Sequence, residues 1–194
     1  MLFCLEAPPG AGKDSLAKYL AVHHHLATCI HKPALSDLAD LQQDQDRWAF
    51  FTQLRVFVDR LQRLRDLECM PAVVVCGSPR SDTRCHAVVS GMDGEEAVLY
   101  HKWVDKLSSL LRSPTHHILL DVPAQDAFHA MVHEGRREQG QWTLARTQRL
   151  TAAFQSEFGA CPRVAMPRWS SENDVMLQGA ADEVMTIIRH ASVA

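Results

Sequence analysis

The chain has 194 residues, of which 46% are hydrophobic and 22% charged, an ordinary composition for a globular domain with one sizeable core. Its 20 basic and 23 acidic side chains nearly cancel and form no lysine- or arginine-rich block, which argues against a nucleic-acid-binding protein. No apolar stretch approaches the roughly 20 residues of a membrane-spanning helix, and the six cysteines show no CxxC spacing, so we expect reduced thiols in a cytoplasmic protein.

The first half of the chain alternates short apolar runs with helical patterns. Leu2–Glu6 is predicted to be a buried strand that enters a glycine turn, and Ala27–Ile30 a second short strand. Asp14–His24 is predicted to be a helix between them. Asp46–Glu68 is predicted to be a long helix, whose core side is expected to include Phe51.

The second half continues the alternation. Ala72–Cys76 is the clearest buried strand, because it is short, apolar throughout and rich in β-branched residues. Glu95–Arg112 is predicted to be an amphipathic helix. The remaining predicted elements are a strand, two helices, a strand and a helix: His117–Val122, Gln125–His133, Thr143–Phe158, Arg163–Met166 and Asp174–His190. Strands alternating with helices predict an α/β fold, a single domain over residues 1–194 with a parallel sheet of about five strands and helices on both faces.

A glycine-rich segment, GAGK, joins the first strand to the first helix. A phosphate-binding loop needs glycines that let backbone N–H groups converge on phosphate oxygens, a helix N-terminus behind them, and a lysine that reaches the terminal phosphates. All three occur here in the right order. We therefore predict a P-loop that binds a nucleotide through Pro9, Gly10, Ala11, Gly12, Lys13, Asp14 and Ser15.

Two residues depart from the usual GxxxxGK[ST] pattern. Ala7 stands where the first glycine is expected, and Asp14 stands where a hydroxyl residue is expected, with Ser15 one position later. Asp14 could ligate Mg²⁺ directly through its carboxylate. It could equally serve only as the N-cap of the helix, since aspartate is a good N-cap residue.

The long helix carries aromatic side chains and one amide close together, at Trp48, Phe50 and Gln53. An amide side chain can form two hydrogen bonds with the edge of a nucleobase, while aromatic rings sandwich the base. The alternative is that the aromatic residues belong to the core and Gln53 is merely solvated.

Arginines follow the third predicted strand and occupy the polar segment Gly135–Gln141. Arg80 comes just after the C-terminal end of its strand, the edge of an open α/β sheet where ligands bind. Arg136 and Arg137 could close over a nucleotide as a lid and offset the charge that develops in phosphoryl transfer. Each of the three could otherwise be an ordinary surface residue.

The histidine clusters His23–His25 and His116–His117 do not show the spacing of metal ligands on one face with a carboxylate partner. We expect solvated positions at the ends of helices and strands for them.

Taken in chain order, these motifs and predicted elements resemble the deoxynucleoside kinase family over nearly the whole chain. The resemblance rests on the phosphate loop, on the WxFxxQ motif at Trp48, Phe50 and Gln53, on the Arg-Ser pair at Arg80, and on an arginine lid near residues 135–141. It implies a P-loop kinase fold, ATP and Mg²⁺ as cofactors, and transfer of the γ-phosphoryl group to the 5′-hydroxyl of a nucleoside.

The resemblance also implies roles for individual residues. Gln53 would recognise the base, Arg80 would contact the 5′-hydroxyl and the phosphate, and Arg136 or Arg137 would close the lid. Lys13 would hold the β- and γ-phosphates. The residue itself, and not the resemblance, predicts that the carboxylate of Asp14 holds the metal ion.

The chain departs from the family at two acidic positions. Pro79 replaces the acidic residue before the Arg-Ser pair, and Lys32 replaces the glutamate that is the family's presumed general base. A lysine cannot accept a proton near neutral pH unless burial lowers its pKa considerably. Two alternatives therefore stay open: a kinase of nucleoside monophosphates or another small acceptor, whose phosphate Lys32 and Arg80 would bind, and a nucleotide-binding pseudokinase.

The apolar stripes on Asp46–Glu68 and Glu95–Arg112 are wider than one core face requires. They predict a homodimer with a helical interface.

Overall fold

A five-stranded parallel sheet forms the centre of the molecule, for which the computed structural model describes residues 1–30, 45–67, 72–109, 115–133, 142–167 and 174–193. The strands are Leu2–Glu6 (β1), Ala27–Cys29 (β2), Val73–Cys76 (β3), Thr115–Asp121 (β4) and Arg163–Ala165 (β5). They lie in the order β2-β3-β1-β4-β5, and every neighbouring pair is parallel. The predicted α/β class is confirmed.

Helices connect the strands. In the described part of the chain the longer ones are Lys13–His24 (α1), Gln45–Leu67 (α2), Gly94–Ser108 (α3), Ala124–His133 (α4), Leu144–Phe158 (α5) and Asp174–Val193 (α6). Several ends differ from the prediction by one to four residues, because local signals define the ends of helices and strands less sharply than their centres. None of these helices is long and apolar enough to cross a lipid bilayer.

Segment 79–89 is helical, which the sequence analysis did not predict. It consists of a single α-helical turn at Pro79–Ser81, a π-helical turn at Asp82–His86 and a 3₁₀ turn at Ala87–Val89. No element was predicted here, because the residue types of the Ser-Pro-Arg-Ser-Asp run favour turns. Burial of Cys85 and Val89 against α5 accompanies the helical conformation.

β1 is buried on both faces, as its unbroken apolar run indicated. Phe3 and Leu5 pack with residues of α1 and α6 on one face of the sheet. Leu2 and Cys4 lie on the other face, in a cluster that includes Leu64 of α2. Because side chains alternate along a strand, Glu6 follows Cys4 onto that second face, directly before the glycine turn.

The orientation of α2 differs from the prediction at Phe51. Its buried side runs through Phe57, Leu61 and Leu64, and Phe50 lies on the same stripe, packed against that cluster. Phe51 is one residue further along, about 100° around the helix, and is 56% exposed. The core side of α2 therefore excludes Phe51.

Candidate active site

The predicted phosphate loop joins β1 to α1 in a conformation that only its glycines permit easily. Gly10 and Gly12 have φ angles of 81° and 77°, in the left-handed region. A Cβ atom on Gly10 would lie 2.1 Å from the carbonyl oxygen of Ala127. The loop is thus packed closely against α4 at Gly10, where both the φ angle and the lack of space require glycine.

Lys13 is the first residue of α1, and its ammonium group binds the loop itself. Nζ donates hydrogen bonds to the carbonyl oxygens of Ala7 and, at 3.0 Å, Pro8. Burial lowers the pKa of Lys13, while the carboxylates of Asp14 and Glu6 act in the opposite direction. The Lys13 ammonium group is therefore held beside the loop by backbone carbonyl oxygens, and phosphate oxygens can take their place.

Asp14 lies in the first turn of α1, not at its cap. The N-cap position belongs to Gly12, and no side chain caps the helix there. The interpretation of Asp14 as the N-cap is therefore wrong. Its carboxylate instead interacts with the thiol of Cys76 at the end of β3, and burial together with this carboxylate raises the pKa of Cys76 to about 12. Cys76 is consequently a neutral thiol near neutral pH.

Arg60 extends from α2 to the C-terminal edge of β3, where it is only 8% exposed. Its Nη1 atom donates hydrogen bonds to the carbonyl oxygen of Ser78 at 3.2 Å and to the Ser81 hydroxyl at 3.5 Å. Gly77 leaves room for it: with φ of 84°, a Cβ atom there would lie 2.4 Å from Nη1. The sequence analysis missed Arg60, although its place seven residues after Gln53, on the same side of α2, was a usable signal.

Arg80 points toward α5. Its Nε atom forms an ion pair with Glu157, its guanidinium lies 5.5 Å from the centre of the Phe158 ring, and its side chain is 53% exposed. Pro79, which precedes it, is buried. The contacts that the structure shows for Arg80 are therefore with α5.

The aromatic and amide residues of the WxFxxQ motif lie in the first part of α2. Trp48, Phe50 and Gln53 are all half-buried. The Trp48 and Phe50 rings lie 5.9 Å and 5.4 Å from the ring of Phe51, measured between ring centres. Three predicted site residues fall outside the described part of the chain: the substrate residue Lys32 and the lid residues Arg136 and Arg137.

His86, in the π-helical turn Asp82–His86, was not among the site residues predicted from the sequence. Burial lowers the pKa of His86 to about 3, and the charges of Arg60, Lys13 and Arg146 act in the same direction. The imidazole packs edge-on against Phe154, 5.7 Å away between ring centres. The imidazole is therefore neutral near neutral pH and adds no charge of its own to this part of the molecule.

Glu6 is fully buried at the end of β1 and pairs with His117 of β4. The imidazole Nδ1 donates a hydrogen bond to Glu6 Oε1 at 2.8 Å. The expectation that the His116–His117 cluster has no carboxylate partner is therefore wrong. The pairing arises from the parallel register, in which Cys4 lies opposite His117 and Glu6 follows two residues later on the same face.

Comparisons with known proteins agree on one fold and one family. The family model for deoxynucleoside kinase matches residues 3–190. A structure of deoxyadenosine kinase from M. mycoides with the products dCMP and dCDP has a TM-score of 0.77 at 14% identity, covering 98% of this chain and 100% of that one. Structures of the same kinase with dATP and with dCTP have TM-scores of 0.74 at 13% and 12% identity, covering 97% and 98% of this chain and all of theirs.

No curated protein matches the chain significantly. At identities this low the structural likeness establishes the P-loop kinase fold, while the family match extends over nearly all of the 194 residues. The chain therefore belongs to the deoxynucleoside kinase family.

Proposed function

We propose that the protein is an ATP-dependent deoxynucleoside kinase that phosphorylates the 5′-hydroxyl of a deoxynucleoside or nucleoside, a salvage reaction. The observation that carries this proposal is the loop between β1 and α1, in which left-handed Gly10 and Gly12 lead directly to the Lys13 ammonium group. The dATP, dCTP and dCMP held by the M. mycoides structures support a nucleotide and a nucleoside as its ligands.

Lys13 would bind the β- and γ-phosphates of ATP in place of the carbonyl oxygens of Ala7 and Pro8. Asp14 fits a role as Mg²⁺ ligand, because it presents a charged oxygen beside the loop and hard cations prefer such oxygens. A Mg²⁺ ion held there would neutralise part of the negative charge of the phosphates. Arg137, with Arg136, would cover the nucleotide from the lid.

On the acceptor side, Gln53 would hydrogen-bond the base between Trp48 and Phe50. Arg80 would have to leave Glu157 to contact the transferring phosphoryl group, and Lys32 would contact the acceptor. Positioning and charge neutralisation supply most of the catalysis in phosphoryl transfer, so the missing acidic base is compatible with turnover.

A second candidate is a kinase of nucleoside monophosphates. The observation that favours it is that Lys32 and Pro79 stand where the family carries acidic residues, since a carboxylate repels an acceptor phosphate and a lysine attracts it.

ADP formation separates these functions. The full chain is incubated with ATP and Mg²⁺ and with a panel of deoxynucleosides, ribonucleosides and their monophosphates. A deoxynucleoside kinase forms ADP with nucleosides, the second candidate forms it with monophosphates, and a pseudokinase forms it with neither while nucleotide still raises the melting temperature.

We also propose a cytoplasmic homodimer. Cys4, Cys29, Cys76 and Cys161 are free thiols, which suits a reducing compartment. Exposed apolar side chains on α2 and α3 support the dimer: Phe51, Val98, Leu99 and Trp103 are between 47% and 56% exposed.

A further inference from the structure

Three side chains of different chemistry meet below the phosphate loop, on the face of the sheet that α2 and α5 cover. Cys4 and Glu6 are successive residues on one face of β1, and His117 lies opposite Cys4 on β4. One ligand atom of each, the thiol sulfur, a carboxylate oxygen and a ring nitrogen, lie within 4.8 Å of one another. Cys4 and Glu6 are fully buried, and the His117 side chain is 14% exposed.

The carboxylate of Glu6 is incompletely paired. Oε1 accepts the hydrogen bond from His117, but Oε2 is shielded from solvent and has no hydrogen-bond partner among the residues that the structure describes. A buried carboxylate oxygen without a partner is costly, because it has lost its hydration and gained nothing in exchange. A cation bound beside Glu6 would remove that cost.

We propose that Cys4, Glu6 and His117 form a Zn²⁺ site. Sulfur, nitrogen and oxygen donors together suit a borderline-soft ion such as Zn²⁺, which binds thiolate, imidazole and carboxylate in tetrahedral sites. Mg²⁺ prefers oxygen ligands alone, so this site is chemically distinct from one at Asp14. Three protein ligands leave the fourth position to a water molecule or another donor.

Binding changes the protonation of the site in a defined way. Zn²⁺ takes the thiolate of Cys4, so the thiol proton is released to solvent. His117 binds as a neutral imidazole through one ring nitrogen, and Glu6 binds as the carboxylate.

The position of the cluster gives the ion a structural role. Glu6 is followed directly by Ala7, whose carbonyl oxygen holds the Lys13 ammonium group. An ion shared by β1 and β4 therefore fixes the strand from which the phosphate loop departs.

Metal content tests the site without reference to turnover. The full chain is purified without chelators, equilibrated with Zn²⁺, dialysed and analysed by mass spectrometry for metals. We expect one zinc per chain in the wild type and in Cys85→Ser, a control that removes another fully buried cysteine. Cys4→Ser and His117→Gln should lose affinity for zinc by more than the roughly 10- to 100-fold that loss of an outer-shell partner costs.

Cobalt provides a second readout, specific for the thiolate. Co²⁺ in place of Zn²⁺ should give a sulfur-to-cobalt charge-transfer band in the wild type and in Cys85→Ser, but not in Cys4→Ser. A wild-type chain that retains no zinc after equilibration, or a Cys4→Ser variant that keeps both zinc and the band, would overturn the proposal.

The wild type alone provides a test if the Cys4 variant does not fold. A chelator should remove the zinc and lower the melting temperature, and added Zn²⁺ should restore it. If removing the zinc leaves the melting temperature unchanged, the site is refuted, and Glu6 and His117 form a buried pair that holds no metal.

Discussion

Lys13 and Asp14 are adjacent residues of opposite charge at the start of α1, and together they set the charge beside the phosphate loop. Lys13 is bound by loop carbonyl oxygens, and Asp14 interacts with the thiol of Cys76. Neither side chain belongs to the apolar core. Substitutions at these two positions should therefore change phosphate and metal binding more than folding.

Lys13→Ala should reduce phosphoryl transfer at least about 100-fold, because phosphate oxygens lose their charged hydrogen-bond donor. ADP formation with the preferred nucleoside measures this change. Thermal unfolding of the variant checks that the fold is intact. Turnover near the wild-type rate would remove Lys13 from the active site.

Asp14→Asn should raise the Mg²⁺ concentration needed for half-maximal activity and lower the turnover rate together, because a hard cation loses a charged oxygen ligand. A Mg²⁺ titration of ADP formation measures both. Asp93→Asn is the matched control, since Asp93 caps α3 and asparagine caps about equally well. Identical titration curves for wild type and Asp14→Asn would show that Asp14 does not bind the metal.

His86 should make the protein less stable in acid. Its pKa is about 3 in the folded chain against an ordinary 6.5, so unfolding takes up a proton at intermediate pH. The free energy of unfolding is therefore unaffected above pH 6.5 and falls as the pH drops toward 3, by up to about 1.4 kcal/mol per pH unit.

Urea unfolding across that pH range tests this slope. His86→Gln should show a shallower decrease of stability with falling pH than the wild type does. His129→Gln, at an exposed position on α4, should retain the wild-type slope. Equal slopes in all three proteins would contradict the lowered pKa.

At the scale of elements, the turn after β3 depends on contacts from α2. Arg60 binds Ser78 and Ser81, which also bind each other: Ser78 N donates to Ser81 Oγ at 3.1 Å, and Ser81 N donates to Ser78 Oγ at 3.2 Å. This network holds the start of segment 79–89, which carries Arg80. A helix thereby positions a loop at the ligand-binding edge of the sheet.

Gly77→Ala should destabilise the protein by roughly 1–3 kcal/mol, because alanine is strained at a φ of 84° and its Cβ would collide with Arg60. Gly94→Ala is the control, since a Cβ on Gly94 meets nothing within 4 Å. Urea unfolding should show little change for the control. If both variants were equally stable, the turn would accommodate the added Cβ atom with no loss in the free energy of unfolding, and the prediction would be wrong.

At the scale of the molecule, three neighbouring apolar residues of α3 are exposed in the part of the chain that the structure describes. Leu99 and Trp103 lie four residues apart and therefore on the same side of the helix, at 47% and 52% exposure. Val98 adjoins them. A second copy that covered this side would bury apolar surface that otherwise faces water.

Leu99→Glu should convert the proposed dimer to a monomer, because it would place a charge in an apolar interface. Light scattering at tens of micromolar, the range in which a dimer of moderate affinity persists, should give a dimeric mass for the wild type. Val22→Glu is the control: it makes the same change at a residue that is 66% exposed on α1, on the opposite face of the sheet from α2, and it should stay dimeric. A monomeric wild type would refute the interface.

Local sequence was sufficient for much of this protein. The phosphate loop was predictable because its glycines, lysine and flanking strand and helix all lie within about twenty consecutive residues. The central strands β1 and β3 were predictable because parallel strands buried on both faces are short, apolar runs. The identity of the family followed from the same local motifs, taken in order.

Only the tertiary structure decided which distant residues meet. The Glu6–His117 pair depends on β4 lying beside β1 in one register, and strand order is not a local property. The contact of Arg60 with Ser78 depends on how α2 is rotated over the sheet, and the same rotation exposes Phe51. Periodicity defines the width of an apolar stripe, but packing against the other elements decides which of its edges is buried.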